Sequence, residues 1–329
     1  MTLPNTFTAG TDALASQVNS NFVYNNTVWE IENLGAFTFN GVVVHSATNY
    51  SVVRASSGEI YLWDGSTLTL KNSTPNASSL MAGCKADATH GVCVETAGVE
   101  VTFTDDSGAT WTSKTSVGFS AAVYDVSFPT ATLIVVGGSD GGGDYIQFST
   151  DDGGTWTDAT TSPSTVVDGL DMFDGNTGYA VDSSGNIWKT TNAAVDWTDT
   201  GDNVSTGTPG ASCNVLCLTA DIVIITSQSY LDYYVNSTNT VTRKVTNGTL
   251  DLPQGIVNTD GVIYALMSNS SNHMGGLLTS ADSGITWTYQ IFDPSSNDTA
   301  YKHSIAAYDT GKIMYIQTGD LYKQDRSNL

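Results

Sequence analysis

Arginine is nearly absent from this 329-residue chain, which holds only Arg54, Arg243 and Arg326. With 11 basic residues against 33 acidic ones and a formal charge of −22, no basic surface exists to neutralise a phosphate backbone or an anionic lipid leaflet. Nucleic acid is therefore set aside as a partner, and so is an acidic membrane. No run of 18 apolar residues occurs, and the opening residues lack the basic and apolar regions of an export signal, so neither membrane insertion nor ordinary export is expected. Cysteine is limited to four residues. Cys84 and Cys93 flank the turn Lys85 to Gly91, and whether they form a disulfide depends on the hairpin register. Cys213 and Cys217 are four apart on one expected strand, roughly 13 Å at about 3.3 Å per residue, too far to bridge. No cysteine or histidine spacing suggests zinc, and buried thiols are the expectation. His45, His90, His273 and His303 are scattered and show no ligand spacing.

What is present points to turns and short strands. Glycine numbers 32, charged residues make up only 13% of the chain, and aspartate greatly outnumbers glutamate, as turn chemistry favours. An all-β fold follows. A strand-like segment ending in a turn recurs at Ile60, Val101, Ile146, Ile187, Tyr233, Leu277 and Leu321, at intervals of 41, 45, 41, 46, 44 and 44 residues. Each unit carries two further β-rich runs before the anchor, as in Val42 to His45 and Tyr50 to Arg54, and a fourth after the turn, as in Thr67 to Leu70. A lone four-stranded sheet leaves both faces wet and must pack against its neighbours, and seven such units close a ring. The expected architecture is a seven-bladed β-propeller of four-stranded antiparallel blades over residues 36–329. Residues 36–40, the run Ala36 to Asn40, are expected to supply the last blade's missing fourth strand, with residues 1–35 as an anchor or oligomerisation segment outside the ring.

Three units share a turn signature. Thr104-Asp105-Asp106-Ser107-Gly108-Ala109-Thr110-Trp111, Ser149-Thr150-Asp151-Asp152-Gly153-Gly154-Thr155-Trp156 and Ser280-Ala281-Asp282-Ser283-Gly284-Ile285-Thr286-Trp287 all fit Ser/Thr-x-Asp-x-Gly-x-Thr-Trp. This resembles the Asp box, or bacterial neuraminidase repeat, of sialidases, sortilin-type receptors, some glucanases and photosystem assembly propellers. The physics is local. The carboxylates of Asp106, Asp151 and Asp282 accept N–H bonds of their own hairpin, Gly108, Gly153 and Gly284 permit positive φ, and Trp111, Trp156 and Trp287 pack between sheets. These residues are scaffold, because in the families resembled the turn lies away from the ligand face. The fourth unit, Thr190 to Trp197, keeps its Trp but loses the Asp and the Gly. The fifth, Asn236 to Arg243, has lost nearly everything, and the first substitutes Trp63-Asp64-Gly65-Ser66.

Sialidase chemistry needs three arginines converging on a carboxylate and a Tyr paired with a Glu. The three arginines lack the required context, and Glu30, Glu32, Glu59, Glu95 and Glu100 all fall in the first third, so a sialidase is not expected and no catalytic residue is assigned. A glycosidase using two aspartates across the ring stays open. Ligands are expected on the face gathering the second-to-third-strand and blade-to-blade loops, where Asp140, Asp144, Tyr230, Asn269 and Asn272 offer stacking and polar contacts for a sugar or protein. The loop holding Asp140 and Asp144 leaves a calcium ion possible but lacks regular ligand spacing. No other cofactor is expected.

Near the start, Leu14, Val18 and Phe22 form a narrow helical stripe, too short to stand alone. The stretch Asn5-Thr6-Phe7 with Ala9-Gly10-Thr11, followed by Ala15-Ser16 with Val18-Asn19 and Asn21-Phe22, resembles the opening of tailed-phage fibre and appendage subunits. That resemblance implies a non-enzymatic virion surface protein, assembled in the cytoplasm and extracellular after lysis. It attaches to other virion proteins through its first segment, is a possible homo-oligomer, and binds a host-surface glycan or protein through its propeller. The alternatives are a cellular binding or assembly propeller and a glycan-cleaving hydrolase.

Overall fold

The computed structural model describes residues 22–24, 27–34, 39–46, 48–54, 57–72, 80–95, 101–114, 117–119, 122–139, 145–204, 213–227, 230–246, 251–268, 275–293, 305–309, 312–317 and 320–325. Among them the structure is all β apart from one 3-10 turn, Asn236–Thr238. Every strand pairing is antiparallel, and six sheets have four strands each in sequence order. The inner strands of these six are Phe39–Val44, Leu80–Lys85, Ala122–Ser127, Val167–Met172, Asn214–Cys217 and Asp251–Thr259. Each inner strand contacts the next, and Ile305–Asp309 of the remaining sheet contacts both Asp251–Thr259 and Phe39–Val44, closing a ring. The chain is a β-propeller.

The expectation of seven four-stranded blades is corrected: six sheets are four-stranded, and the remaining one has five strands. It runs Ile305–Asp309, Lys312–Gln317, Asp320–Asp325, then Thr27–Asn33 and Phe22–Tyr24. The closing strand is therefore Thr27–Asn33 and not Ala36 to Asn40. Trp29 lies opposite Gln324 and Asn33 opposite Asp320, five residues in continuous register. Phe39 and Asn40 instead open the first inner strand, where Phe39 is buried and sits opposite Arg54; Gly35 to Thr38 lie outside the described residues. The boundary drawn at residue 35 moves accordingly, because strand pairing reaches back to Phe22. Phe22 is in a strand opposite Trp29 rather than on a helix. Leu14 and Val18 lie outside the described residues, as does the rest of the first segment through Asn21.

The core lies between sheets. Val42, Val44, Tyr50 and Val52 of the first sheet cluster with Met314 of the closing sheet, and the buried Lys323 sets its ammonium 4.9 Å from the Tyr50 ring centre. At the opposite flank Val43, Val53 and Ile60 meet Cys93 and Trp111 of the second sheet. Alternate residues of one inner strand thus serve two junctions, as a two-residue period dictates. The repeat anchors fall on third strands. Ile60, Val101, Ile146 and Ile187 are fully buried, whereas in the fifth sheet Leu231, Asp232 and Tyr234 are buried and Tyr233 is half-buried.

The hairpin disulfide is excluded by register. Cys84 pairs with Val92 and Cys93 with Gly83, so the two cysteines are one step out of register and not a directly opposed pair. Cys93 and Cys217 are free thiols.

Closure by Thr27–Asn33 makes a truncation test direct. A chain beginning after residue 34 should melt well below one beginning after residue 21, and a synthetic peptide spanning 22–34 should restore the difference. Equal melting temperatures for the two truncations would disprove the closing role.

Candidate functional site

The signature turns join third to fourth strands. Asp106 Oδ1 accepts the Thr110 N–H at 2.8 Å and Oδ2 the Thr110 hydroxyl at 2.7 Å. The Thr104 hydroxyl donates to Asp106 at 2.9 Å and accepts the Gly108 N–H at 3.0 Å. Asp151 with Ser149 and Thr155, and Asp282 with Ser280 and Thr286, repeat the pattern. These bonds hold the carboxylates below their ordinary range. For Asp106 the opposing effect of burial is the largest single influence, yet the bonds from Thr110 and Thr104 together outweigh it. For Asp282 the Thr286 hydroxyl and N–H dominate and bring it to about 2.

Two consecutive left-handed residues close each turn: Ser107 and Gly108 at φ 59° and 78°, Asp152 and Gly153 at 58° and 79°, Ser283 and Gly284 at 58° and 87°. The fourth unit keeps this shape without glycine, with Ala193 and Ala194 at 59° and 68°. There Asn192 takes the carboxylate's place. Its Oδ1 accepts the Thr190 hydroxyl at 3.1 Å and the Asp196 N–H at 3.0 Å, while its Nδ2 donates to Asp196 Oδ2 at 2.9 Å.

Three of the turns, those at Ser107, Asp152 and Ala193, are also tied to the first hairpin of their own sheet. Ser107 donates its N–H to the Thr89 carbonyl at 3.0 Å, and Ala193 to Asn176 at 3.1 Å. The turn then reaches into the preceding sheet. A Cβ on Gly108 would collide with Ser51 Oγ, His45 Nε2 and Leu62 Cδ1, all of the first sheet, and one on Gly284 would meet Ile224 and Tyr233 of the fifth. Trp111 and Trp197 are buried, Trp156 and Trp287 half-buried, and each packs into the cluster shared with the preceding sheet.

A second repeat, not legible as a motif, organises the first-to-second-strand turns. Asp87 Oδ1 accepts the N–H groups of Thr89 and His90, Asp174 Oδ1 those of Asn176 and Thr177, and Thr219 Oγ1 those of Asp221 and Ile222. The signal was present as an Asp, Ser or Thr opening each short loop, but aspartate is too common in this chain to single it out.

The central cavity, of about 420 Å³, is lined by residues 42–44, 125–127, 170–172, 214–216, 256–258 and 305–307 of the inner strands. Ala86, Phe128 and Pro129, just past the ends of two inner strands, also line it, so it extends toward the first-to-second-strand turns. Among the described lining residues two are carboxylates. Asp125 accepts the Val126 N–H at 2.9 Å and the Leu170 N–H of the next sheet at 3.1 Å. Ser127 accepts the Met172 N–H and donates its hydroxyl to Asp171, each at 3.1 Å. Asp171 in turn accepts the Cys217 N–H of the following sheet at 2.9 Å. Inner strands pair on one edge only, so these side chains bridge three sheets by satisfying channel-side N–H groups that no neighbouring strand reaches. Burial, reinforced by Asp125, pushes the Asp171 carboxyl up to about 6 in spite of those bonds. Sequence reading missed this pair among the chain's aspartates; the available signal was polar residues interrupting otherwise apolar inner strands.

Of the five residues expected to contact a ligand, only Tyr230 is described; Asp140, Asp144, Asn269 and Asn272 lie outside the described residues, and with them the possible calcium loop. Tyr230 is the first residue of a third strand, and one ring face is covered by the Arg243 guanidinium at 3.6 Å from the ring centre. Stacking against a ligand is left to the other face. Arg243 also pairs with the buried Asp232 at 3.4 Å. Among the described residues no three His, Cys, Asp or Glu side chains group to hold a metal ion.

No family model matches the chain, and no curated protein does. Solved structures do. YCF48 bound to a D1 peptide is 13% identical with a TM-score of 0.66, covering 90% of this chain and 96% of that one. Virginiamycin B lyase from Staphylococcus aureus is 13% identical with a TM-score of 0.69 over 90% and 98%. The GH74 enzyme of Niastella koreensis is 15% identical with a TM-score of 0.62, covering 90% of this chain but 44% of its own. At such identity the likeness shows the propeller fold alone, shared by enzymes and non-enzymes.

Three substitutions test the turn geometry. Gly108→Ala should destabilise the protein well beyond Gly261→Ala, since Gly261 has a similar φ of 73° but nothing within 4 Å of an added Cβ. Trp111→Ala should cost about 3 to 5 kcal/mol. Urea midpoints decide both, and equal effects of the two glycine changes would refute insertion of the turn into the preceding sheet. For Asp171 the raised carboxyl favours folding most while it is protonated, below the ordinary carboxylate range, and that advantage is lost as pH rises through about 6. Wild type should therefore lose stability relative to Asp171→Asn between pH 5 and pH 7.5, read by thermal melting.

Proposed function

We propose that this chain is a non-enzymatic binding propeller built from Asp-box repeats and carried on the surface or an appendage of a phage virion. In this reading its second-to-third-strand loops meet a glycan or protein of the host surface. The observation that carries the binding half is the use made of Asp125 and Asp171: both oxygens of each accept hydrogen bonds from backbone or hydroxyl groups of the scaffold. Carboxylates committed to holding three sheets together are poorly disposed to take turns as acid and base. The virion half draws on the phage-like stretch from Asn5 to Phe22, and the acidic, turn-rich surface suits a particle exposed to solvent.

A second reading, a cellular binding or assembly propeller, draws on the likeness to a propeller solved with a peptide. Gene neighbourhood separates the two, with capsid and tail genes expected only for the first. Antibodies against the chain should label purified virions in electron micrographs, and unlabelled particles would end the appendage reading. Labelled protein should bind host cells saturably while leaving isolated surface polysaccharide at its original chain length; shortened chains would make it a hydrolase instead.

A further inference from the structure

The loop face just proposed carries a carboxylate whose two oxygens are used unequally. In the first sheet Arg54 ends the second strand, Tyr50–Arg54, and Glu59 immediately precedes the third, Ile60–Trp63, so both stand at the second-to-third-strand end. Three groups donate to one oxygen: Arg54 Nη1 at 2.6 Å, the Ser57 hydroxyl at 2.9 Å and the Tyr61 hydroxyl at 3.1 Å all meet Glu59 Oε2. Among the described residues none donates to Glu59 Oε1. The loop is closed by its own backbone, with the Arg54 N–H on the Glu59 carbonyl at 2.9 Å and the Gly58 N–H on the Arg54 carbonyl at 3.0 Å. Glu59 is therefore held from one side, while its side chain keeps 22% of its surface exposed. The bond from Arg54, ahead of that from Ser57, holds the carboxyl below its ordinary range, so it is ionised at neutral pH.

The neighbouring charges select what Oε1 accepts. A cation approaching it meets the Arg54 guanidinium, which already neutralises Glu59. An anion meets Glu59 itself, on a chain carrying 33 acidic residues against 11 basic ones. A neutral donor meets neither penalty, and a hydrogen bond to an ionised acceptor is stronger than one between neutral groups. One carboxylate oxygen has room for two donors, which two hydroxyls on adjacent carbons supply together. The fifth sheet repeats the theme toward the same end, where Arg243 is paired with Asp232 and lies over Tyr230. Both arginines among the described residues are thus held by a carboxylate at this side of the ring. We propose, building on the loop-face reading above, that this face recognises neutral glycans, two adjacent hydroxyls of which donate to Glu59 Oε1, and that it discriminates against glycans carrying carboxylate or sulfate groups.

The test is an array of purified bacterial polysaccharides, neutral and acidic, probed with the labelled full chain. The members bound should be neutral, and each should lose binding once periodate has cleaved its vicinal diols. Glu59→Gln should weaken binding to the same members at least about tenfold, because the amide keeps an oxygen for Arg54, Ser57 and Tyr61 and turns an NH2 donor toward the ligand. Thermal melting verifies that the variant folds, and the array and periodate comparisons need wild type alone. Binding to acidic members, binding that survives periodate, undiminished binding by a folded Glu59→Gln protein, or binding to no member would each overturn the proposal. Saturable binding to host cells with none on the array would leave the loop-face reading standing, with a host protein as partner, and end this one.

Discussion

A four-stranded antiparallel sheet has two faces and no interior, and in this chain the burial that stabilises each sheet is supplied by its neighbours. The junction between sheets is thus the unit on which the structure depends. Val42 and Val44 serve one junction and Val43 the other from a single strand. Closure follows from the same requirement: without Thr27–Asn33 the sheet formed by the chain's end would present an open strand edge beside the first sheet.

The signature turns belong to these junctions more than to the hairpins that contain them. Their carboxylates fix a local shape, their paired left-handed residues aim it, and the tryptophan that follows packs against the preceding sheet. The fourth unit shows what is needed and what is only preferred. Asn192 with Asp196 replaces the carboxylate and threonine pair, and two alanines accept a backbone that glycine adopts more readily. Geometry is kept while chemistry changes, because Trp197 still has to reach the shared core.

Toward the axis a different device takes over. Inner strands run too far apart to share a ladder, so Asp125, Ser127 and Asp171 act as bridges between their edges. These residues occupy only part of the ring, and the cavity they border is lined by polar and apolar side chains together. A function at the loop face depends on segments such as the one opened by Tyr230.

The sequence by itself determined the all-β class, the repeat length, the identity of the third strands and the residues of the signature turns, because each is a local or periodic property readable along one strand. It misassigned the closing strand for the same reason. Ala36 to Asn40 is an apolar run and Thr27 to Asn33 reads as part of the anchor segment, and only pairing with Asp320–Asp325, nearly 300 positions away, reveals the closing strand. Tertiary structure alone also decided that Cys84 and Cys93 are out of step, that Arg243 covers a face of Tyr230, and that Asp125 and Asp171 meet beside a cavity. Each is a contact between strands, set by register and by the packing of neighbouring sheets, and neither quantity is written in the order of residues along any one strand.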